Sequence, residues 1–575
     1  MKKILNIGLL ILAIVTFSCS DDYLSRSPLD KISEADFWSS PNDLKIYVNQ
    51  FYTMLPAFPG WGGGYLWDDN NSDNMHHSGY DSRLAGFNTI NSGSGNWSFS
   101  RLRSINLMLD NYDKVEAPES QVNQFVGEAY FFRAYFYFNL IKNYGDVPWI
   151  EHTLNADSEE LYAARAPRNE VVDNILSDLD DAISRLSLRA EVSGNRINKE
   201  SALLLKSRVA LYEGTWEKYH QGTDFGVAGS NGQNYLTAAA TAAKQLIDLN
   251  SVSLYNTGNP GVDYGKLFNS DDLNSMNEVL LWRKYNVELG LAHNVQRYIP
   301  RSGGGTGLTK SLIDSYLCTD GNPIASSTLY QGDHSLENVI ADRDPRLSQM
   351  IWIPDDAIEI VNGNVVASFE KPALAAGGED RNTTGYQLKK GGDPTSPGIQ
   401  AAGQGITALP IFRFAEALLN YAEAKAELGT ITQADLDMSI NKIRARAGMP
   451  NLMLNTITAD PNWQFPALSP VLNEVRRERR VEFACEGYRF DDLARWRAHN
   501  LIVGKRPIGA WFDQTEFPDL VVGETILLDE NGYIDYLKSV LPSGWGFDPS
   551  RDYLLAVPPN EITLNPNLGQ NPGWE

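Results

Sequence analysis

The sequence predicts a mainly α chain, made of paired helices that carry long irregular loops. Apolar residues recur at spacings of three and four over several long segments. Those segments come in pairs separated by short turns with glycine and proline stops. Between the pairs lie stretches rich in Gly, Asn, Asp, Ser and Trp, too long for simple connectors.

The first clear helix is expected from Ser120 to Tyr144. Phe125, Ala129, Phe132, Phe136 and Leu140 form one stripe, and Tyr130, Phe131, Tyr135, Tyr137 and Phe138 fill the other sides. A helix apolar nearly all round must be covered on several faces. Gly145 and Pro148 end it. A second helix is read over 169–188, with Ile175, Leu179, Ile183 and Leu186 on one face. A third is read over 199–213, stopped by Gly214, and a fourth over 235–249. Later, Phe412, Ala415, Leu418, Leu419, Ala422 and Ala426 form a stripe closed by Gly429. Residues 434–447 pair with it, and Pro450 follows. Two helices, a tight turn and a trailing proline within roughly 34–40 residues is the spacing of a tetratricopeptide-type repeat. One more helix is expected over 471–498. Residues 278–283 and 385–389 read as short strands.

With 575 residues, 42% apolar and 11% aromatic, the chain can bury more than one ordinary core. Its formal net charge of -23 disfavours nucleic acid and anionic lipid heads as partners. The cysteines are Cys19, Cys318 and Cys485, too few and too scattered for a disulfide framework. Cys318 and Cys485 read as buried free thiols.

Residues 1–22 have the layout of a lipoprotein signal. Lys2 and Lys3 precede an apolar run from Ile4 to Phe17, and Ser18 precedes Cys19. The run is short for a membrane span. Removal of residues 1–18 would leave Cys19 to carry the lipid, anchoring the chain without crossing the bilayer.

Five ordered segments then resemble one family. They are 125–138 continuing to 144–148 (Tyr-Gly-Asp-Val-Pro), 202–212, 412–424, 474–491, and the tail from Val557-Pro-Pro-Asn-Glu-Ile562 to Asn571-Pro-Gly-Trp574. Together they resemble the SusD/RagB-type outer-membrane lipoproteins of Bacteroidetes over essentially the whole mature chain. The resemblance implies a tetratricopeptide-like helix-pair superhelix with a long-loop, irregular ligand-binding region packed on it. It also implies one unit over 19–575, with an N-terminal region 19–250 that includes loop 56–98 and a C-terminal region 251–575. By the same resemblance the protein binds a glycan outside the cell, is not an enzyme and delivers its ligand to a SusC-like TonB-dependent β-barrel transporter. Ser20-Asp21-Asp22 is similar to the acidic signal that sends such lipoproteins to the cell surface. The motif charges, Glu128, Arg133 and the run 476–480, are expected to bridge packed helices rather than hold ligand.

The ligand site is sought in the loops. Sugar rings lie on flat aromatics, and their hydroxyls need hydrogen-bond partners. Residues 61–80 hold both kinds: Trp61, Trp67 and Tyr80 beside Asp68, Asp69, Asn70 and Asp73. Trp67 is the expected stacking platform. Tyr298, Arg301 and Arg343 are second candidates from later loops. Trp97 opens a helix and is read as structural.

No cofactor is expected. Asp69, Asn71 and Asp73 alternate like the start of a calcium loop, but Asn74 replaces the required glycine and Tyr80 the bidentate acid, so only a non-standard calcium site stays open. His76-His77 has no evident third zinc ligand. The alternatives are a surface lipoprotein for another nutrient such as peptide, a glycoside hydrolase, or a scaffold that binds only its barrel partner.

Overall fold

The computed structural model describes residues 37–90, 96–192 and 194–575. Cys19 and the signal reading lie outside them. Among the described residues no helix is long and apolar enough to cross a membrane.

The frame is a serial stack of helices: α1 (Pro41–Val48), α2 (Ser100–Leu109), α3 (Glu119–Tyr144), α4 (Arg168–Arg185), α5 (Lys199–Tyr219) and α6 (Gln233–Leu249). It continues after a long interval with α7 (Phe414–Glu427), α8 (Gln433–Met438), α9 (Ile440–Arg446), α10 (Pro470–Glu482) and α11 (Arg489–Arg495). Each of α3 to α7 packs on the next, and α7 then packs on α10. One hydrophobic core runs through all of these and binds the N-terminal helices to the C-terminal ones. A second core lies under the irregular middle of the chain.

The reasons are local. The α3 aromatics Phe131, Phe132, Tyr137 and Phe138 are buried, so the helix sits between neighbours as its all-round apolarity requires. Each such ring contributes about 2–3 kcal/mol by leaving water. Gly145 closes α3 at φ 69°, in the left-handed region a side chain resists. Thr432 and Asp435 form a reciprocal capping box on α8, and Ser469 with Pro470 starts α10.

Several expectations are corrected. Gly214 does not stop a helix, because α5 runs on to Tyr219. A Cβ at Gly214 would come within 2.8 Å of the Leu236 backbone, so the glycine serves the close approach of α6. Phe412 lies in a strand just before α7. The 434–447 segment is two short helices that meet at Ser439. The segment 471–498 is also two helices, α10 and α11, separated by a turn in which Cys485 and Gly487 take φ 61° and 72°.

The strands are few: β1 (Met75–His77), β2 (Val279–Arg283), β3 (Thr306–Leu308), β4 (Ala357–Val361), β5 (Asn364–Ser368) and β6 (Leu409–Arg413). They pair antiparallel as β1–β3, β2–β6 and β4–β5. Residues 385–389 make only an isolated bridge, Leu388 to Ile351.

The motif charges are indeed structural, though with other partners than each other. Glu128 pairs with Arg196 and Arg133 with Asp178, each at 2.6 Å. On α10, Arg476 meets Glu427 and Arg477 meets Asp460. Buried Glu482 takes Arg413 at 2.5 Å, Arg446 at 2.6 Å and Arg346 at 2.9 Å. Burial alone would raise its pKa, but Arg446, Arg413 and Arg346 outweigh it and hold the carboxyl well below the usual range.

Candidate functional site

The 61–80 loop is anchored to the frame by its own acids. Between α10 and α11 the left-handed turn aims backbone N–H groups outward. Asp69 accepts from Cys485 N–H at 2.8 Å and Gly487 N–H at 3.2 Å, and from the Asn74 amide at 2.8 Å. Its side chain is fully buried. Four residues on, Asp73 pairs with Arg489 at 2.6 Å and Arg480 at 3.1 Å. Burial would raise the Asp73 pKa, yet Arg480 and Arg489 hold it well below the ordinary value. Arg480 also donates to Asn74 Oδ1 at 2.8 Å. The Thr306 hydroxyl, on β3, lies 2.6 Å from Asn70 Oδ1. β1 pairs with β3, and Ser78 N–H donates to Gly305 O at 2.7 Å.

These contacts correct the expected site. Asp69 and Asp73 hold the loop, and their hydrogen-bonding capacity is spent on protein. Arg343 is buried and donates to the carbonyls of Ile313 and Tyr316, each at 2.8 Å, so it too is part of the interior. Arg301 pairs with Glu359 beside the β4–β5 hairpin. The calcium pattern does not converge: Asp69 points to the α10–α11 turn, Asp73 to Arg480 and Arg489, and Asn71 to solvent. Among the described residues no cluster of His, Cys, Asp and Glu is arranged to hold a metal ion. His76 is buried, and burial pushes its pKa down to about 4.

Trp67 is half-buried and stands behind the surface. A Cβ at Gly63 would come within 2.4 Å of its indole, and one at Gly304 within 2.6 Å. Tyr298 meets it edge-on at 5.4 Å and is itself buried. Glycine is required at both positions, because the indole occupies the space a side chain would need. Trp67 is therefore a wedge that joins residues 62–64 to residues 303–305. A third glycine segment, 377–378, completes the junction: Gly303 N–H donates to Asp380 O at 2.8 Å, and Gly305 faces Glu379 and Ser78.

What faces solvent is different. Trp61 is 63% exposed, on a turn tied down where the Asn294 amide donates to Gly60 O at 2.6 Å. Tyr80 is 41% exposed and meets Phe87, itself 59% exposed, edge-on at 5.7 Å. Glu379 is exposed and lies against Gly305. Asp68 is open to solvent at the mouth of a small cavity, with protein around most of it. That desolvation, with Asp69 adjacent, raises its carboxyl to about 7. The arrangement offers flat rings and acceptors on a rigid base. Phe87, Asn294 and Glu379 were missed by sequence reasoning. The glycine runs were visible, but nothing local indicated that they meet around Trp67. Trp97 is buried, with its ring edge-on to Tyr144 at 4.9 Å, as a structural residue should be.

A family model described as SusD family matches residues 277–574. A second, described as starch-binding associating with outer membrane, matches residues 37–211. The chain is 22% identical to SusD-like protein P2 of Formosa agariphila, with all of both chains covered. It is 24% identical to SusD-like protein P38 of the same organism, over 86% of this chain and 92% of the other. Among solved structures it is similar to a SusD-like carbohydrate binding protein from Bacteroides fragilis, with TM-score 0.70, 22% identity and coverage of 93% and 100%. A laminarin binding SusD-like protein matches with TM-score 0.59, 19% identity and the same coverage.

Proposed function

We propose, from the premise that this chain belongs to the SusD family, that it is a non-catalytic cell-surface lipoprotein that captures a glycan and passes it to a SusC-like TonB-dependent transporter. The observation that carries the reading is the exposed aromatic surface of Trp61, Tyr80 and Phe87 on a loop pinned to the frame through Asp69 and Asp73. A rigid ring offers a sugar its face at little entropy cost. Exposed Glu379, against Gly305 of the same junction, supplies an acceptor for hydroxyls. The loop needs no ordering on binding, since its buried half is already fixed. Lipid at Cys19 would hold the chain at the outer membrane. A preference of the ligand for one position of the protein over the barrel mouth would drive delivery.

Lipid-free protein run through gels containing starch, laminarin, mannan or xylan tests this. At least one polysaccharide should retard it, and no reducing ends should be released from any. Retention by none, or sustained release of reducing ends, would contradict the proposal.

A further inference from the structure

Asp73 has a second neighbour. Behind the 61–80 loop it lines an open cleft of about 640 Å³. The other walls are residues 462–466, the short helix Lys310–Ile313, residues 500–508 and residues 529–533. A narrower arm of about 230 Å³ continues past Trp463. This volume is in the range of small-ligand sites.

Most charges in the cleft are answered by protein. Lys310 pairs with Asp333 at 2.6 Å and Asp314 at 3.0 Å, Arg506 with Asp535 at 2.8 Å, and Asp73 with Arg489 and Arg480. Lys505 and Asp529 are the two remaining charges of the lining, one of each sign. Such a lining does not select an ion. Asp529 accepts from the Asn531 and Tyr533 N–H groups, and apart from exposed Lys505 what is left unanswered is neutral and polar: among the described residues the side-chain amides of Asn462, Asn500 and Asn531 have no protein partner. Each amide offers both donors and an acceptor, as a row of sugar hydroxyls requires. Trp463 stands among them, half-buried, its Nε1 donating to Glu474 at 3.3 Å. That bond fixes the ring, and among the described residues no aromatic ring or cation stacks on it.

We propose that this cleft is a second saccharide site, taking a neutral oligosaccharide with one ring on Trp463 and its hydroxyls on the Asn462, Asn500 and Asn531 amides. The choice of ligand class rests on the glycan reading above; the location does not. The site lies on the Asp73 side of the loop, whereas Trp61 and Tyr80 face solvent.

The test is titration calorimetry of lipid-free protein with neutral hexaoses: α-1,4-glucan, β-1,3-glucan, β-1,4-glucan, β-1,4-mannan and β-1,4-xylan. Wild type is compared with Trp463→Ala, with the surface double variant Asn462→Ala/Asn500→Ala, and with Trp61→Ala. One hexaose should bind at two sites per chain. Trp463→Ala and the amide double variant should each weaken one site at least tenfold, with Trp61→Ala leaving that site intact. The double variant keeps the test valid should Trp463→Ala misfold, because both asparagines are exposed. Binding at one site, lost in Trp61→Ala and unchanged in the other two, overturns this proposal and leaves the first standing. Binding lost only in the Trp463 and amide variants does the reverse. No binding of any hexaose by wild type overturns both, and tighter binding of a polyuronate hexamer at Trp463 overturns the neutral assignment.

Discussion

Asp69 and Trp61 stand on one loop, and the fold treats them in opposite ways. Asp69 is fully buried and takes two backbone N–H groups from a turn over four hundred positions away. Trp61 is 63% exposed on a glycine-flanked turn. The polar residue has gone inside and the aromatic has stayed out, the reverse of the ordinary partition. The inversion is affordable because Asp69 and Asp73 meet donors held by the frame. Buried charge therefore serves position, and exposed aromatic surface is left for recognition.

Removing the frame's charges should have the largest effect. Glu482→Ala leaves Arg346, Arg413 and Arg446 facing one another in the interior. Breaking such a set costs on the order of 3–5 kcal/mol. Thermal unfolding should show a large drop, while the affinity of the remaining folded protein for glycan stays unchanged. An unaltered melting temperature would break the claim that the frame is held by these ions.

Asp73→Asn should come next, by about 3 kcal/mol, because Arg480 and Arg489 lose their common partner. The same carboxylate gives a pH signature. Its folded pKa lies below the unfolded value of about 3.9, so its contribution is complete above that value and is lost as pH falls through the folded one. The difference in melting between wild type and Asp73→Asn should stay constant from pH 7 to 5 and shrink below about pH 4, as wild type falls more steeply than the variant. Equal slopes would remove Asp73 from the anchor.

Trp67→Ala tests the wedge against the platform. It opens a cavity between Gly63 and Gly304, at a cost of roughly 2–3 kcal/mol for a half-buried ring. Differential scanning calorimetry should register that loss. A variant with unchanged stability and abolished glycan binding would restore Trp67 as the contact residue.

The smallest effect belongs to Asp68→Asn. The folded carboxyl, at about 7, holds its proton more tightly than the unfolded one, so wild type loses stability as pH rises from about 4 through 7. The variant should melt with wild type near pH 4 and slightly above it at pH 8. Melting together at pH 8 would mean Asp68 is fully solvated.

The helices were legible because periodicity is local. The stripes from Phe125 to Leu140 and from Ala415 to Ala426 lie on α3 and α7. What failed was whatever depends on distant contact. Gly214 looked like a stop because the close approach of Leu236 is invisible in sequence. The α10–α11 turn was read through because Cys485 takes a left-handed conformation that its residue type does not announce. In the candidate site, the residues that the sequence groups together part company in the structure. Trp61 and Tyr80 face solvent, whereas Asp69, Asp73 and Arg343 turn inward to partners that no spacing rule reveals.

The most direct measurement is titration of the polysaccharide that retards wild type into a Trp61→Ala/Tyr80→Ala double variant. Both side chains are exposed, so the double variant should change stability by no more than about 0.5 kcal/mol per site. Affinity should fall at least tenfold, about 1.4 kcal/mol. Full affinity in that folded double variant would contradict the division of this loop into an anchored half and a recognising half.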